Sequence, residues 1–331
     1  MAVFTPVTLE EVKVWLDSNY SIGQAIELKG ISSGIENSNF FLSVQKEKQT
    51  HEYVLTLFER LSPEQLPYYL NLMGHLAQKN IPVPAPLKNN QGQVLSSLNG
   101  KPATIVTRLS GSSKLDPKKE HCEIVGAMLA QMHLAGKDFP MQQANLRSLQ
   151  WWQETIPSIK PHLNVTQAEL IDSELKEQIA FFHSPDYQAL PSGPSHCDLF
   201  RDNVLFDNEN GNDKLGGFFD FYFAGTDKWL FDLAVTVNDW CIDLTTGKLD
   251  DARYRSMLTS YQSVREFEPA EIKSWQFMLR AAALRFWVSR LWDFYLPRDA
   301  QMLTPHDPKH FERILTERRL GTPNIPSVQK I

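Results

Sequence analysis

The sequence predicts an α+β protein in two parts, an antiparallel β-rich region followed by a mainly helical one. Three observations carry that prediction. Between Ala25 and Phe58 apolar residues alternate with polar or small ones (Phe40, Leu42, Val44), and the stretch ends in the β-branched and aromatic run Tyr53-Val54-Leu55-Thr56-Leu57-Phe58. The three prolines of Ile81-Pro-Val-Pro-Ala-Pro86 forbid helix and enforce an extended connector. Beyond Ser110-Gly-Ser-Ser113 the composition changes and helical signals take over, which divides the chain into residues 1–110 and 111–331.

Taken in order, Thr8 and Glu11 form a capping-box pattern that starts a helix over Leu9 to Asn19. Three antiparallel strands follow, the first two joined by the small-residue connection Gly30 to Asn39. A helix is predicted over about Pro63 to Lys79, then two strands flanking the turn Asn99-Gly100 and ending at Ala103 to Thr107. In the second part Asp116 can cap a helix that has Pro117 at its first position and Gly136 just past its end. Thr166 and Glu169 mark another capping box, and a long apolar helix runs from near Lys273 to Phe294, stopping before Pro297. Residues 195–221 break this helical text and read as loop, strand, turn at Asn210-Gly211, and strand.

Charge and cysteine usage narrow the function classes. The 331 residues carry 33 Lys+Arg against 39 Asp+Glu, a formal net charge of -6, so no overall positive field draws the chain to nucleic acid or an anionic membrane. Cys122, Cys197 and Cys241 are odd in number and far apart, which fits neither a disulfide framework nor a zinc knuckle and points to a reducing cytoplasm. No basic leader precedes an apolar segment, and no stretch reaches 18 apolar residues.

The chemistry concentrates in Ser195-His196-Cys197-Asp198-Leu199-Phe200-Arg201-Asp202-Asn203, which fits the His-x-Asp-x4-Asn pattern of kinase catalytic loops. If Val204 to Phe206 pairs with Leu215 to Phe219 about the Asn210 to Asn212 turn, Asn203 and Asp220 face each other at the open end of a ribbon, beside Asp198. Phosphoryl transfer needs hard oxygen ligands for Mg2+ and one further carboxylate to orient and deprotonate a hydroxyl. Asn203 and Asp220 supply the first and Asp198 the second.

These residues resemble the protein-kinase-like small-molecule kinases, a family that includes aminoglycoside phosphotransferases and choline kinases. Within it, the homoserine kinases of the aminoglycoside-phosphotransferase-like type are similar over nearly the whole chain, through Val3 to Val7, Gly30 to Phe41, Tyr53 to Glu59, Leu66 to Leu72, His196 to Phe206, Asp220 to Phe223, Val237 to Trp240 and Ala281 to Phe286. The resemblance implies a bilobal protein-kinase-like fold, an antiparallel N-lobe and a helical C-lobe, and ATP-dependent phosphorylation of the L-homoserine hydroxyl. It implies Asp198 as catalytic base, His196 as the buttress of its loop, and Asn203 and Asp220 as Mg2+ ligands. For ATP it implies the connection holding Ser32, Ser33, Gly34, Asn37 and Asn39, and the segment with Val106, Thr107 and Leu109.

One departure stands out: Thr56 occupies the place where such kinases usually carry a strand Lys or Arg, and Tyr68 to His75 holds no acidic partner. Arg201 is then the candidate for the missing phosphate contact, with an exposed ion pair as the alternative. In Trp229 to Cys241, Asp232, Thr236 and Asp239 share one helical face, either solvated or partnered, and Asp239 is the candidate for the substrate ammonium beside Asp198. Arg280, Arg285 and Arg290 advance about 140 degrees per step and cannot form one patch. Leu284, Trp287, Leu291 and Phe294 read as core, His75 and His133 as core or surface rather than ligands, and Cys197 as a variable slot, not a nucleophile. Other small-hydroxyl kinases, acting on choline, an aminoglycoside or a methylthiosugar, and a nucleotide-binding pseudokinase remain as alternatives.

Overall fold

The computed structural model describes residues 5–31, 37–209, 211–296, 306–321 and 323–326. Chain packing divides the protein into two units, Met1–Gly111 with Gly216–Phe219, and Ser112–Leu215 with Asp220–Ile331.

In the first unit α1 (Leu9–Asn19) begins at the reciprocal box: Glu11 N–H donates to Thr8 Oγ1 at 3.3 Å, and Thr8 N–H to Glu11 Oε2 at 2.7 Å. Five strands follow in the antiparallel order β1-β2-β3-β5-β4: β1 (Gln24–Gly30), β2 (Asn37–Lys46), β3 (Gln49–Phe58), β4 (Ser96–Leu98) and β5 (Lys101–Thr107). Phe40, Leu55 and Ile105 stand opposite one another in register. With Leu42, Val44, Leu57 and Ala103 they form one buried face against Val12, Trp15 and Leu16 of α1. Because side chains alternate, the other face carries the neighbouring row Asn39, Thr56, Thr104. The β4–β5 turn has positive φ at both Asn99 (49°) and Gly100 (73°), the geometry a two-residue hairpin requires.

Between β3 and β4 lies α2 (Leu66–Gln78), which starts three residues after the predicted Pro63. The Ser62 carbonyl first closes a turn with the N–H groups of Gln65 and Leu66.

The second unit holds α3 (Lys119–Gly136), α4 (Leu149–Ile159), α5 (Val165–Phe182), α6 (Pro185–Gln188), β6 (Ser192–Ser195), β7 (Val204–Glu209), the start of β8 (Asn212–Phe218), β9 (Gly225–Lys228), α7 (Trp229–Trp240), α8 (Asp251–Val264), α9 (Pro269–Tyr295) and α10 (Lys309–Leu320). Strands β7 and β8 pair with each other, and β6 pairs antiparallel with β9. Of the turn residues, Gly211 takes φ 85° with its N–H on Asn208 Oδ1, while Asn210 lies outside the described residues. No helix among the described residues is long and apolar enough to cross a membrane.

Several predicted boundaries move. Helix α3 starts after Lys118, not at Pro117, because His121 Nδ1 accepts the Lys118 N–H and caps the end there. In α5 the box belongs to Asn164 and Gln167 rather than Thr166 and Glu169: Gln167 N–H donates to Asn164 Oδ1 at 2.9 Å and Asn164 N–H to Gln167 Oε1 at 3.3 Å. Helix α9 begins four residues earlier than predicted, with Pro269 at its first position. On it Leu284, Trp287 and Leu291 are buried, but Phe294, the last residue but one, is exposed.

Helices α3 and α8 meet at Gly126, where an added Cβ would lie 2.3 Å from the Met257 carbonyl oxygen. Backbone cannot yield as a flexible side chain would, so the two helices would have to separate. Gly126→Ala is therefore expected to destabilise the protein by about 1–3 kcal/mol, read as a lower urea midpoint; an unchanged midpoint would show that the helices have room to part.

Candidate active site

The loop after β6 is shaped by α7. Asp232, fully buried, accepts the backbone N–H groups of His196 and Cys197, each at 2.7 Å, through its two carboxylate oxygens. These two bonds hold Cys197 in the left-handed region at φ 62°, a conformation a side-chain-bearing residue keeps only when its surroundings impose it. A third donor is His133 Nε2 at 3.0 Å, whose Nδ1 in turn accepts from the Tyr261 hydroxyl at 2.8 Å. Arg265 extends the chain, from Nη1 to that hydroxyl and from Nη2 to both oxygens of Glu271.

Burial pushes the His133 pKa below the usual histidine value, and Arg265 adds to this, against the pull of Asp232. Burial alone would raise Asp232, yet its bond from His133 and the His196 backbone N–H hold it below the usual carboxylate range. The pair is therefore a neutral imidazole donating to an ionised carboxylate.

Seven residues on, Asp239 holds the far end of the same loop. Its Oδ2 accepts Arg201 N–H at 2.7 Å and Arg201 Nε at 3.0 Å, while Arg201 Nη1 donates to the Leu115 carbonyl at 3.0 Å and Nη2 to the Asp239 carbonyl. Trp240 Nε1 donates to the Leu199 carbonyl between the two anchors. This geometry corrects two expectations at once. Arg201 is neither an exposed ion pair nor turned to a phosphate, because it is buried and its fork is engaged with Asp239 and Leu115. Asp239, expected to meet a substrate ammonium, is buried and gives its Oδ2 to Arg201, so its charge is paired within the protein.

Asp198 lies between the anchors, half-buried. Asn203 Nδ2 donates to the Asp198 carbonyl at 2.8 Å and approaches its Oδ2 at 3.4 Å, which turns the amide oxygen of Asn203 away. His196 packs its ring on Phe221, centroids 4.5 Å apart, and so brings the segment with the adjacent Asp220 against the loop. Asp220 is exposed and left-handed, at φ 64° and ψ 58°. One amide oxygen and one carboxylate are hard donors of the kind Mg2+ takes together with nucleotide phosphates and water. Among the described residues no three His, Cys, Asp or Glu converge as a metal cage, and a nucleotide-bound Mg2+ does not need one. Cys197 beside the base is buried, and burial raises its thiol well above the usual value, so it is no nucleophile.

In the first unit, Ser32, Ser33 and Gly34 lie outside the described residues. Asn37 is buried at the start of β2, and Asn39 accepts the Thr56 hydroxyl at 2.8 Å. Thr56 thus sits in a neutral row with Asn39 on one side and Thr104, which donates to the Val94 carbonyl, on the other. Thr107 exchanges two bonds with Ala85, its N–H donating to that carbonyl and its hydroxyl accepting that N–H, and Val106 bridges to Pro86. Leu109 packs where Gly217 (φ 144°) has no side chain: a Cβ there would meet the Leu109 methyls at 2.8 and 3.0 Å and the Pro82 carbonyl at 2.3 Å.

The His133 support and the separate duties of Asp232 and Asp239 were missed by sequence reasoning. The shared helical face of the two carboxylates was the signal that could have found the second.

A two-part α+β fold carrying a His-x-Asp-x4-Asn loop is that of a phosphotransferase. The family model of the phosphotransferase enzymes (APH) matches residues 27–267, and the chain belongs to that family. Among individual proteins, it is 63% identical over 320 residues to a homoserine kinase of Ralstonia pickettii, covering 96% of each chain. It is 58% identical over 330 residues to a homoserine kinase of Burkholderia vietnamiensis, covering 98% of each. The fold is shared with a choline kinase of Cryptosporidium parvum (TM-score 0.65, 13% identity, 95% of each chain) and an aminoglycoside phosphotransferase of Alicyclobacillus acidocaldarius (TM-score 0.64, 14% identity, 96% of this chain and 94% of that one). The antiparallel sheet and helical part are those of the protein-kinase-like fold.

The neutral His133 makes the loop's support pH-dependent. The unfolded histidine titrates near 6.5 while the folded one binds its proton only at lower pH, so between those values the unfolded chain holds more protons and stability falls as pH drops. His133→Gln, able to donate to Asp232 and accept from Tyr261 without titrating, is expected to lose less stability than the native protein when pH is lowered from 7 to 5. Thermal melts across that range check this, and parallel curves for the two proteins would contradict it.

Proposed function

We propose that this enzyme transfers the γ-phosphoryl group of ATP to the side-chain hydroxyl of L-homoserine, giving O-phospho-L-homoserine and ADP, a step toward threonine, in the cytoplasm. The observation that carries this is the Asp198–Asn203 arrangement in a loop tied down at both ends, in a chain 58–63% identical over nearly its full length to proteins named homoserine kinase. Asp198 Oδ accepts the hydroxyl proton as the substrate oxygen forms its bond to the γ-phosphorus and the bond from that phosphorus to the bridging oxygen breaks, leaving ADP. Asn203, donating to Asp198, keeps the carboxylate turned toward the acceptor and presents its own oxygen with the Asp220 carboxylate as metal donors. Mg2+ bound there would neutralise charge on the transferring and leaving phosphate oxygens. His196 touches no reactant in this scheme; it positions the loop.

Retention of Asp198, Asn203 and Asp220 in the sequence argues against the pseudokinase alternative. An ADP-release assay across L-homoserine, L-serine, L-threonine and choline tests the assignment, with L-homoserine expected to give the highest kcat/KM; a preference for choline would redirect it. Asp198→Asn keeps the shape of the side chain and loses its proton affinity, so kcat is expected to fall by about 10²- to 10⁴-fold with little change in ATP binding. Near-native turnover in that variant would remove Asp198 from the role. Chelation with EDTA is expected to silence the enzyme and added Mg2+ to restore it; turnover without any divalent ion would refute the metal site.

A further inference from the structure

Two aromatic contacts flank the catalytic loop. At His196 the ring of Phe221 brings Asp220, on the metal side. At Phe200 the loop instead meets Phe286 of α9, with centroids 4.4 Å apart, and Phe311 of α10, at 5.9 Å, the latter two rings being 5.1 Å from each other. Arg290 follows Phe286 by one helical turn and rises from the same side of α9. Its guanidinium carbon lies 4.5 Å from the centre of Phe311, so the cation rests on this aromatic floor beside the loop.

Arg290 differs from the other buried or half-buried arginines of the second unit. Arg201 is paired with Asp239, Arg265 with Glu271, and Arg280 with Glu174 and Glu177, while Arg318 donates to Asn238. Among the described residues Arg290 has no hydrogen-bond or ion-pair partner. Asp239, Asp202, Asp307 and Asp198 lie within Coulombic reach of it, none in direct contact. Burial lowers its pKa to about 10, which still leaves a full positive charge at neutral pH. A planar fork of five N–H donors, half-buried and held on rings, is built to take a carboxylate.

We propose that Arg290 binds the α-carboxylate of the amino-acid substrate while Asp198 takes its hydroxyl proton. This rests on L-homoserine being the acceptor. In that molecule the hydroxyl oxygen and the carboxylate carbon stand at most about 5 Å apart, so the group that binds the carboxylate must stand beside the loop that carries the base, as Arg290 does on the Phe311 ring that meets Phe200. A phosphate of ATP is the other anion a guanidinium could hold. In-line transfer places acceptor and nucleotide on opposite sides of the transferring group, and Arg290 rests on Phe311, which meets the loop at Phe200, whereas Phe221, next to Asp220, meets it at His196.

The test compares L-homoserine with L-homoserine amide, which keeps the hydroxyl and ammonium and loses the negative charge, at saturating ATP. The native enzyme is expected to prefer the acid. Arg290→Gln is expected to raise KM for L-homoserine by about 10- to 100-fold, with kcat within about threefold, and to remove the preference of acid over amide. Retention of the native preference would overturn the proposal, as would a rise in KM for ATP alone, which would assign the cation to a phosphate. Arg290→Lys keeps the charge and the packing stem and carries the same test should the glutamine variant unfold. A KM for L-homoserine raised several-fold with a weaker preference for the acid supports the proposal, and an unchanged KM overturns it. Failure of the native enzyme to phosphorylate L-homoserine at all would instead overturn the substrate assignment beneath it.

Discussion

The second unit depends on a buried carboxylate with three donors. Asp232 has no access to water, so its charge survives only because the N–H groups of His196 and Cys197 and the imidazole of His133 converge on it. All three are donors, and an amide in place of the carboxylate would turn its own N–H2 toward one of them. Removing one partner of such a buried set costs several kcal/mol because it strands the rest, about 3–5 for an ion pair. The loop is thereby fixed in a backbone shape, left-handed at Cys197, that it would not take alone. Asp239, seven residues and about 10 Å further along α7, repeats the device at Arg201. One helix therefore grips residues 196–197 and 201 and leaves Asp198, between the two grips, half-exposed. The backbone on either side of Asp198 is thus held by other side chains, which would preorganise it for the proton transfer proposed.

Much of this architecture was legible from local chemistry. The Thr8–Glu11 box, the Asn99-Gly100 turn and the period-two run from Phe40 are satisfied within a few residues of themselves, so the pattern and the structure coincide. Boundaries moved where two caps competed at close range: Asn164 with Gln167 won over Thr166 with Glu169, two residues away. Strands β6 and β9 were missed, since Ser192-Gly-Pro-Ser195 and Gly225-Thr-Asp-Lys228 have little intrinsic strand character and pair only because the fold brings them together across about thirty residues of chain. The duties of Asp239 and Arg201 were hidden for the same reason. Helical arithmetic put Asp232, Thr236 and Asp239 on one face, but nothing local states that a loop thirty-five or more residues upstream covers that face.

The neutral row Asn39, Thr56, Thr104 bears on charge. A strand cation of the usual kind would need an acidic partner; here Thr56 stands in its place and donates to Asn39, while Thr104 donates to the Val94 carbonyl, so the row is satisfied without charge. With Arg201 committed to Asp239, the positive charge that phosphoryl transfer requires falls, in the mechanism proposed, on the metal held by Asn203 and Asp220.

Helix α9 shows how one element can distribute a costly residue type. Arg280, Arg285 and Arg290 recur every five residues, about 140 degrees apart, so each meets a different environment. Arg280 faces Glu174 and Glu177 of α5 in a pair of charge-assisted forks, with Arg319 completing the network. Arg285 lies over the ring of Phe286 and faces Phe223, on the segment that follows Asp220. Arg290 reaches the aromatic floor beneath the catalytic loop. A guanidinium removed from water must recover its solvation from acceptors or rings, and Arg280 does so entirely within the protein. Arg290 recovers only part, from Phe311 and from carboxylates too distant to bond, and the remainder of its hydrogen-bonding capacity is what an anionic substrate can complete.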